Sequence, residues 1–229
     1  MLKIKYLLFI ALFFGVCLDS FAQEKQIITF TSLDSTKIII NELLVYNKNT
    51  QVYEPYTAEL TKFRDKKHTP LGIRHYNFGC IKTKTKELWL GQIAKDAKGH
   101  AIFKEPIFGV TTFIQLAITY IKRGVDTPYK FFDRYAPHTD CLGSVDKVLV
   151  NGKLECPNGY NKPEIYAKTV ADGIGIGIND PISIYDKEGK LNAKLFTLLL
   201  SSVASFELGL KCKFEEETIK KAIKLINVK

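Results

Sequence analysis

The sequence has no C-x-x-C pair, no long apolar run beyond its N-terminus, no nucleophile-elbow motif and a single tryptophan. Each absence removes a class of function. Without C-x-x-C, and with His68, His75, His100 and His138 at no metal-ligand spacing, zinc and dithiol redox chemistry lack their usual ligands, so no metal or cofactor is expected. Without a nucleophile elbow, Ser/His/Asp catalysis has no anchor. Basic residues are scattered rather than striped, and no nucleic-acid module is recognisable, so nucleic acid is not an expected partner. The stretch GIGIGIND at 173–180 imitates a phosphate loop. No strand precedes it and no helix opens on its last glycine, so it reads as a crossover.

What is present begins with an export signal. Lys3 and Lys5 precede an apolar run from Tyr6 to Leu18, followed by Ser20-Phe21-Ala22. A basic start, a short apolar core and small residues before the cut describe a signal peptide cleaved after Ala22. The run is too short to span a membrane, which takes roughly 20 apolar residues. Val16 and Phe14 are poor lipobox residues, which argues against lipidation at Cys17. The expected location is therefore secreted or periplasmic. The net charge of +9 suits an anionic envelope polymer such as peptidoglycan, although charge of that size also serves plain solubility. Cys80, Cys141, Cys156 and Cys212 remain after cleavage. An even count in an exported chain points to two disulfides, with three pairings open.

The organisation follows from punctuation. Residues 23–69 read as an N-terminal β arm and linker, with TKIIINELLVYN and QVYEPY as a hairpin about the turn NKNT. Residues 70–229 form the main domain. Short strands are expected in KTKTKELWLG and HAIFK. Pro106 opens a helix whose Ile107, Val110, Ile114, Ala117 and Ile121 share a face, with Gly124 as its stop. Thr127-Pro128 opens another. An insert at 138–160 holds Asn151-Gly152 between two short β-type runs, a strong hairpin signal. A lone hairpin is marginal, so Cys141 and Cys156, which flank it, are well placed to staple it. Asn161 and Glu164 read as a capping box for a helix ending at Gly173. A helix from about 190 to Leu208 is apolar nearly all round, hence buried, and stops at Gly209. The last helix has Glu215, Glu216 and Glu217 at its start and lysines toward its end, matching the macrodipole. The fold class expected is mainly α, an α+β arrangement of one helical domain with small β elements and the β arm.

Several segments together resemble a family of small phage and prophage proteins, many filed as virion structural proteins. Its pattern runs G-I-R-N-N-N-P-x-N-I, W-x-G, F-x-x-x-x-x-G, W-A-P, N-x-T-x-x-Y, H-E-N-G. Residues 72–81, GIRHYNFGCI, fill the first slot. Trp89-Leu90-Gly91, Phe103 with Gly109, Tyr135-Ala136-Pro137, Asn161 to Tyr166 and Phe206-Glu207-Leu208-Gly209 fill the rest. The chain departs at His75, Tyr76, Phe78, Cys80 and Phe206, and at the 138–160 insert. The resemblance implies a lysozyme-like helical fold over 70–229. It also implies that the opening and terminal motifs meet in space. Cys80 and Cys212 lie next to those motifs, so it further implies a Cys80–Cys212 bond beside Cys141–Cys156.

Glu207 is the sharpest chemical candidate. A carboxyl at the end of an apolar helix is pushed toward its neutral form by burial and can serve as a general acid. Glycoside hydrolysis usually takes a second carboxylate. Asp133, Glu164 and Asp172 are available, but nothing in the sequence sets one opposite Glu207. A lytic transglycosylase needs one acid, because the substrate's own hydroxyl attacks. The alternative is a structural Glu207 paired with Arg74 or a lysine. Arg74, Asn77, Trp89 and Tyr166 are the substrate-binding candidates, each with a scaffold role as its alternative. The expectation is an exported cell-wall protein, either a peptidoglycan glycosidase or transglycosylase, or a non-catalytic wall-binding or structural protein.

Overall fold

The computed structural model describes residues 36–84, 86–142 and 145–226. The signal peptide expected at 1–22 lies outside the described residues. Strand β1 (Lys37–Asn47) is followed by β2 (Val52–Glu59), the single-turn helices α1 (Leu60–Phe63) and α2 (Leu71–Arg74), and strands β3 (Gln92–Lys95) and β4 (Ala101–Phe103). Helices α3 (Pro106–Lys122) and α4 (Pro128–Tyr135) come next. The hairpin β5 (Val148–Val150) and β6 (Lys153–Glu155) leads to α5 (Pro163–Ile174), α6 (Ala193–Leu208), β7 (Cys212–Lys213) and α7 (Glu216–Ile226).

The expected mainly helical, lysozyme-like class is corrected. The fold is mixed, 39% helix and 21% strand in three small sheets. The reason lies in the N-terminal segment. Ile38, Ile40 and Leu43 on β1 are buried in the same core as the helices. β1 is also the middle strand of a sheet ordered β2-β1-β7. Its β-branched residues thus build a wall of the molecule, closed on one side by Cys212 paired with Val45. Pro55 is accepted because β2 is an edge strand, where a missing N–H costs nothing. Between Ile40 and Leu44 the register slips, so that Leu44 faces Pro55.

Several helices form as their punctuation predicts. Thr127 accepts a hydrogen bond from the Lys130 N–H, with Pro128 in the first turn of α4. Asn192, which the sequence reading did not single out, caps α6 by accepting from the Leu195 N–H. Gly209, at φ 63°, ends α6 in the left-handed conformation that a Cβ disfavours. Three local readings are corrected. β3 starts at Gln92, and before it the Trp89 Nε1–H donates to the Lys82 carbonyl. Helix α5 is not capped by Asn161, whose N–H instead bonds the Asp140 carbonyl; no side chain caps it, and Pro163 takes its first turn. The helix also runs past Gly173 to Ile174. A Cβ at Gly173 would collide with the Ser202 hydroxyl, so this glycine lets α5 lie close on α6 instead of stopping it.

The disulfide Cys141–Cys156 spans 15 residues around β5 and β6. The expected Cys80–Cys212 bond is corrected: both are free thiols. Cys212 faces inward from β7, with its Sγ 3.5 Å from Ser205 Oγ. No helix among the described residues is long and apolar enough to cross a membrane.

Candidate functional site: an uncompensated carboxyl at a helix end

The site is built where the start of the main chain fold meets the end of α6. Helix α2 is short, and the chain after it turns back sharply. The Asn77 N–H donates to the Gly72 carbonyl at 2.7 Å, and the Cys80 N–H donates to the Asn77 carbonyl at 2.9 Å. Asn77 itself is 1% exposed. Its Nδ2 donates to the carbonyls of Ile81 and Ala101, both at 2.9 Å, and its Oδ1 accepts from the Ile81 N–H at 2.8 Å. The Tyr135 hydroxyl, from the last turn of α4, donates to the Gly79 carbonyl. The turn between these clamps holds Cys80 at φ 49°, a left-handed conformation uncommon outside glycine.

Helix α6 brings Glu207 to this turn. Leu208 seals the approach: a Cβ on Gly72 would stand 2.8 Å from Leu208 Cδ2. The opening and terminal motifs therefore do meet, as the resemblance implies. Glu207 is half-buried. Burial pushes its carboxyl from its ordinary 4.5 up to about 7, opposed only by the Cys80 thiol. Burial likewise raises the Cys80 thiol, and the Glu207 charge raises it further. The phenols of Tyr135 and Tyr166 are raised by burial first and by Glu207 next. Four polar side chains from the 77–81 turn, α4, α5 and α6 thus share one spot. Tyr166 packs against Phe206 with ring centroids 3.8 Å apart and planes tilted by 41°, and Phe206 keeps 37% of its surface exposed. An aromatic pair therefore borders the acid.

The other sequence candidates fall elsewhere. Arg74 does not pair with Glu207; its Nε donates to the Thr69 carbonyl at 3.0 Å. Among the described residues no ion pair involves Glu207. The polar atoms of the Asn77 side chain are spent on the backbone, as above. Trp89 is buried, and Lys84 Nζ covers its ring at 3.8 Å from the centroid. Of the acids weighed as a second carboxylate, Asp172 pairs with Lys168, Asp133 contacts His138, and Glu164 is exposed at the start of α5. None of the three influences Glu207. Sequence reasoning missed Tyr135 and Phe206 as parts of the site, and it assigned Cys80 to a disulfide. The one local signal was Phe206 itself, a large aromatic directly before the acid.

A carboxyl so placed holds its proton up to about pH 7, the range in which a general acid works. No protein-family model matches the chain, and no curated protein matches it.

Proposed function

We propose that the protein cleaves a glycosidic bond in a cell-envelope polysaccharide, with peptidoglycan as the leading substrate, using Glu207 as its single general acid. The observation that carries this reading is a half-buried carboxyl raised to about 7 with no cation to neutralise it. A carboxyl in a structural ion pair is shifted the other way, because a nearby cation favours its charged form. A protonated carboxyl can supply the proton that a departing sugar oxygen needs. With no second carboxylate set against it, the reaction that fits is the transglycosylase type. A hydroxyl of the substrate's own sugar attacks the anomeric carbon, the glycosidic C–O bond breaks as the leaving oxygen takes the Glu207 proton, and the attacking hydroxyl gives its proton to the resulting Glu207 carboxylate. The product sugar is closed into an anhydro ring. Tyr166 and Phe206 supply apolar faces on which a sugar ring can pack. The net charge of +9 attracts an anionic polymer, and export through the N-terminal signal would bring the protein to it.

The test is clearing of purified peptidoglycan, with mass analysis of the soluble fragments. Wild type should clear the suspension and leave anhydro ends, with activity falling as pH rises through about 7, where Glu207 loses its proton. Glu207→Gln should lose at least a hundredfold in rate, the usual size of a general-acid contribution.

A second reading has its own observation. Asn77, Trp89 and Arg74 serve the fold, which favours a wall-binding scaffold. It predicts no clearing, and a Glu207→Gln variant altered only in stability. The sign of that stability change follows from linkage. The unfolded carboxyl titrates near 4.5 and the folded one near 7. Between these values the folded chain holds a proton that the unfolded chain lacks. Stability from this group is full below about 4.5 and is lost as pH rises through 7. The loss is up to about 3 kcal/mol. Urea unfolding at pH 5 and pH 8 should show this loss in wild type and not in Glu207→Gln.

A further inference from the structure

The outer face of the sheet β2-β1-β7 gathers positive charge over a pair of tyrosines, and the register explains how. Cys212 stands opposite Val45, and both pack into the core. Side chains alternate across a strand, so Lys211 and Lys213, on either side of Cys212, face away from the core. Tyr46, next to Val45, and its partner Tyr53 face the same way. The two rings meet edge to face with centroids 5.4 Å apart. Lys211 is tied to this place by its carbonyl, which accepts from the Tyr46 N–H at 2.8 Å. Its Nζ lies 3.9 Å from the Tyr46 centroid and 6.0 Å from that of Tyr53. Lys213 Nζ lies 4.6 Å from the Tyr53 centroid. Two ammonium groups therefore converge on one pair of rings.

No carboxylate joins them. Among the described residues neither lysine makes an ion pair, whereas Lys62, Lys130, Lys168, Lys190 and Lys220 all do. Glu54, the neighbour of Tyr53, stands opposite Val45. Its oxygens accept from Asn47 Nδ2 at 3.0 Å and from the Thr50 hydroxyl at 2.8 Å. An aromatic ring attracts a cation but carries no net charge. The tyrosines thus hold the ammonium groups in place and leave their charge unspent for an incoming anion.

We propose that this face binds peptidoglycan strands, with Lys211 and Lys213 taking carboxylates of the stem peptides and Tyr46 and Tyr53 meeting the sugars with their hydroxyls and ring edges. The choice of polymer rests on the function proposed above; the pair of unneutralised ammonium groups does not. The face suits a hydrated polyanion rather than a lipid surface. Insertion among lipids takes free apolar area, and Leu44, which lies between Pro55 and Lys213 on this face, is already buried. A strand held here stays at high local concentration around the protein, so any second contact along the same strand is made without a new encounter.

Co-sedimentation of the full-length protein with insoluble peptidoglycan tests the proposal. It is done in the Glu207→Gln background, so that the polymer stays intact. Lys211→Gln with Lys213→Gln should bind roughly tenfold more weakly, the size expected for two exposed ion pairs. Lys187→Gln with Lys194→Gln removes as much charge from exposed lysines elsewhere and should bind like the parent. Peptidoglycan whose carboxyls have been amidated should lose the parent protein to a similar degree. Equal weakening by the two lysine pairs makes binding a matter of net charge alone and overturns the proposal. Undiminished binding by Lys211→Gln with Lys213→Gln overturns it as well.

If that variant fails to fold, the amidated polymer decides with the lysines untouched: undiminished binding of the parent overturns the proposal. Vesicles of phosphatidylglycerol are the remaining probe. Retention on them through Lys211 and Lys213, with no retention on peptidoglycan, assigns the face to a lipid surface and also overturns it. None of these readouts needs activity. Weakening confined to Lys211 and Lys213, with no clearing of peptidoglycan by wild type, removes the proposed cleavage and leaves the surface standing. Clearing by wild type with equal weakening from both lysine pairs removes the surface alone.

Discussion

Residues 141–160 and residues 72–81 are both connections that carry cysteine, and they are held in opposite ways. In the first, Leu149 and Leu154 are paired across the hairpin and are 72% and 63% exposed. Val148 and Val150 are open too, at 45% and 46%. No core lies under these strands, and the Cys141–Cys156 bond closes the loop covalently. In the second, Ile73, Phe78 and Ile81 are buried, Asn77 satisfies three backbone groups, and the cysteine stays a free thiol. A disulfide contributes mainly by restricting the unfolded chain, and it is found here where burial is missing. Where packing and buried hydrogen bonds already determine the backbone, the cysteine stays a thiol.

That contrast can be broken experimentally. The largest effect is expected at Asn77→Ala, which orphans the Ile81 N–H and takes the Asn77 donor from the Ala101 carbonyl in the interior, while the Ile81 carbonyl keeps the Ala101 N–H. At about 1–3 kcal/mol for each buried unpaired group, the loss should be about 4 kcal/mol by urea unfolding, and the NMR signal of Glu207 should move with it. Replacing Cys141 and Cys156 together by alanine should cost less than the roughly 3 kcal/mol that the chain-entropy account assigns to a loop of 15 residues. The freed hairpin can move without opening the core, so amide exchange should accelerate in 148–155 and stay slow in 73–81. Equal acceleration in both segments would show that the hairpin supports the core after all. The smallest effect belongs to Leu149→Ser with Leu154→Ser. Exposed positions of this kind stay within about 0.5 kcal/mol, and a larger loss would mean that those leucines are covered in the protein's working state.

Legibility in the sequence follows the range of the forces involved. The helix start at Thr127, the stop at Gly209 and the turn at Asn151-Gly152 are local. Each depends on one side chain or one φ angle within a few residues. The class of the fold was not legible, because β1 finds its second neighbour in Cys212–Lys213, more than 160 residues later. The same holds inside the site. That Glu207 ends an apolar helix is written in residues 193–209, and its burial could be expected from them. That Cys80, Tyr135 and Tyr166 converge on it depends on three other segments. The Cys80–Cys212 expectation failed for this reason: nearness of two motifs does not aim two thiols at each other, and Cys212 lies against Ser205 while Cys80 is held in the turn after Asn77.

The sequence by itself determined where α4 begins and α6 ends, which hairpin needs a staple and which acid lies among apolar neighbours, since hydrogen-bond capping, glycine's left-handed freedom and side-chain periodicity act over a few residues. Only the tertiary structure decided that this acid would meet a thiol and no cation, because the proton affinity of a buried carboxyl is set by whichever groups distant segments bring within a few ångströms.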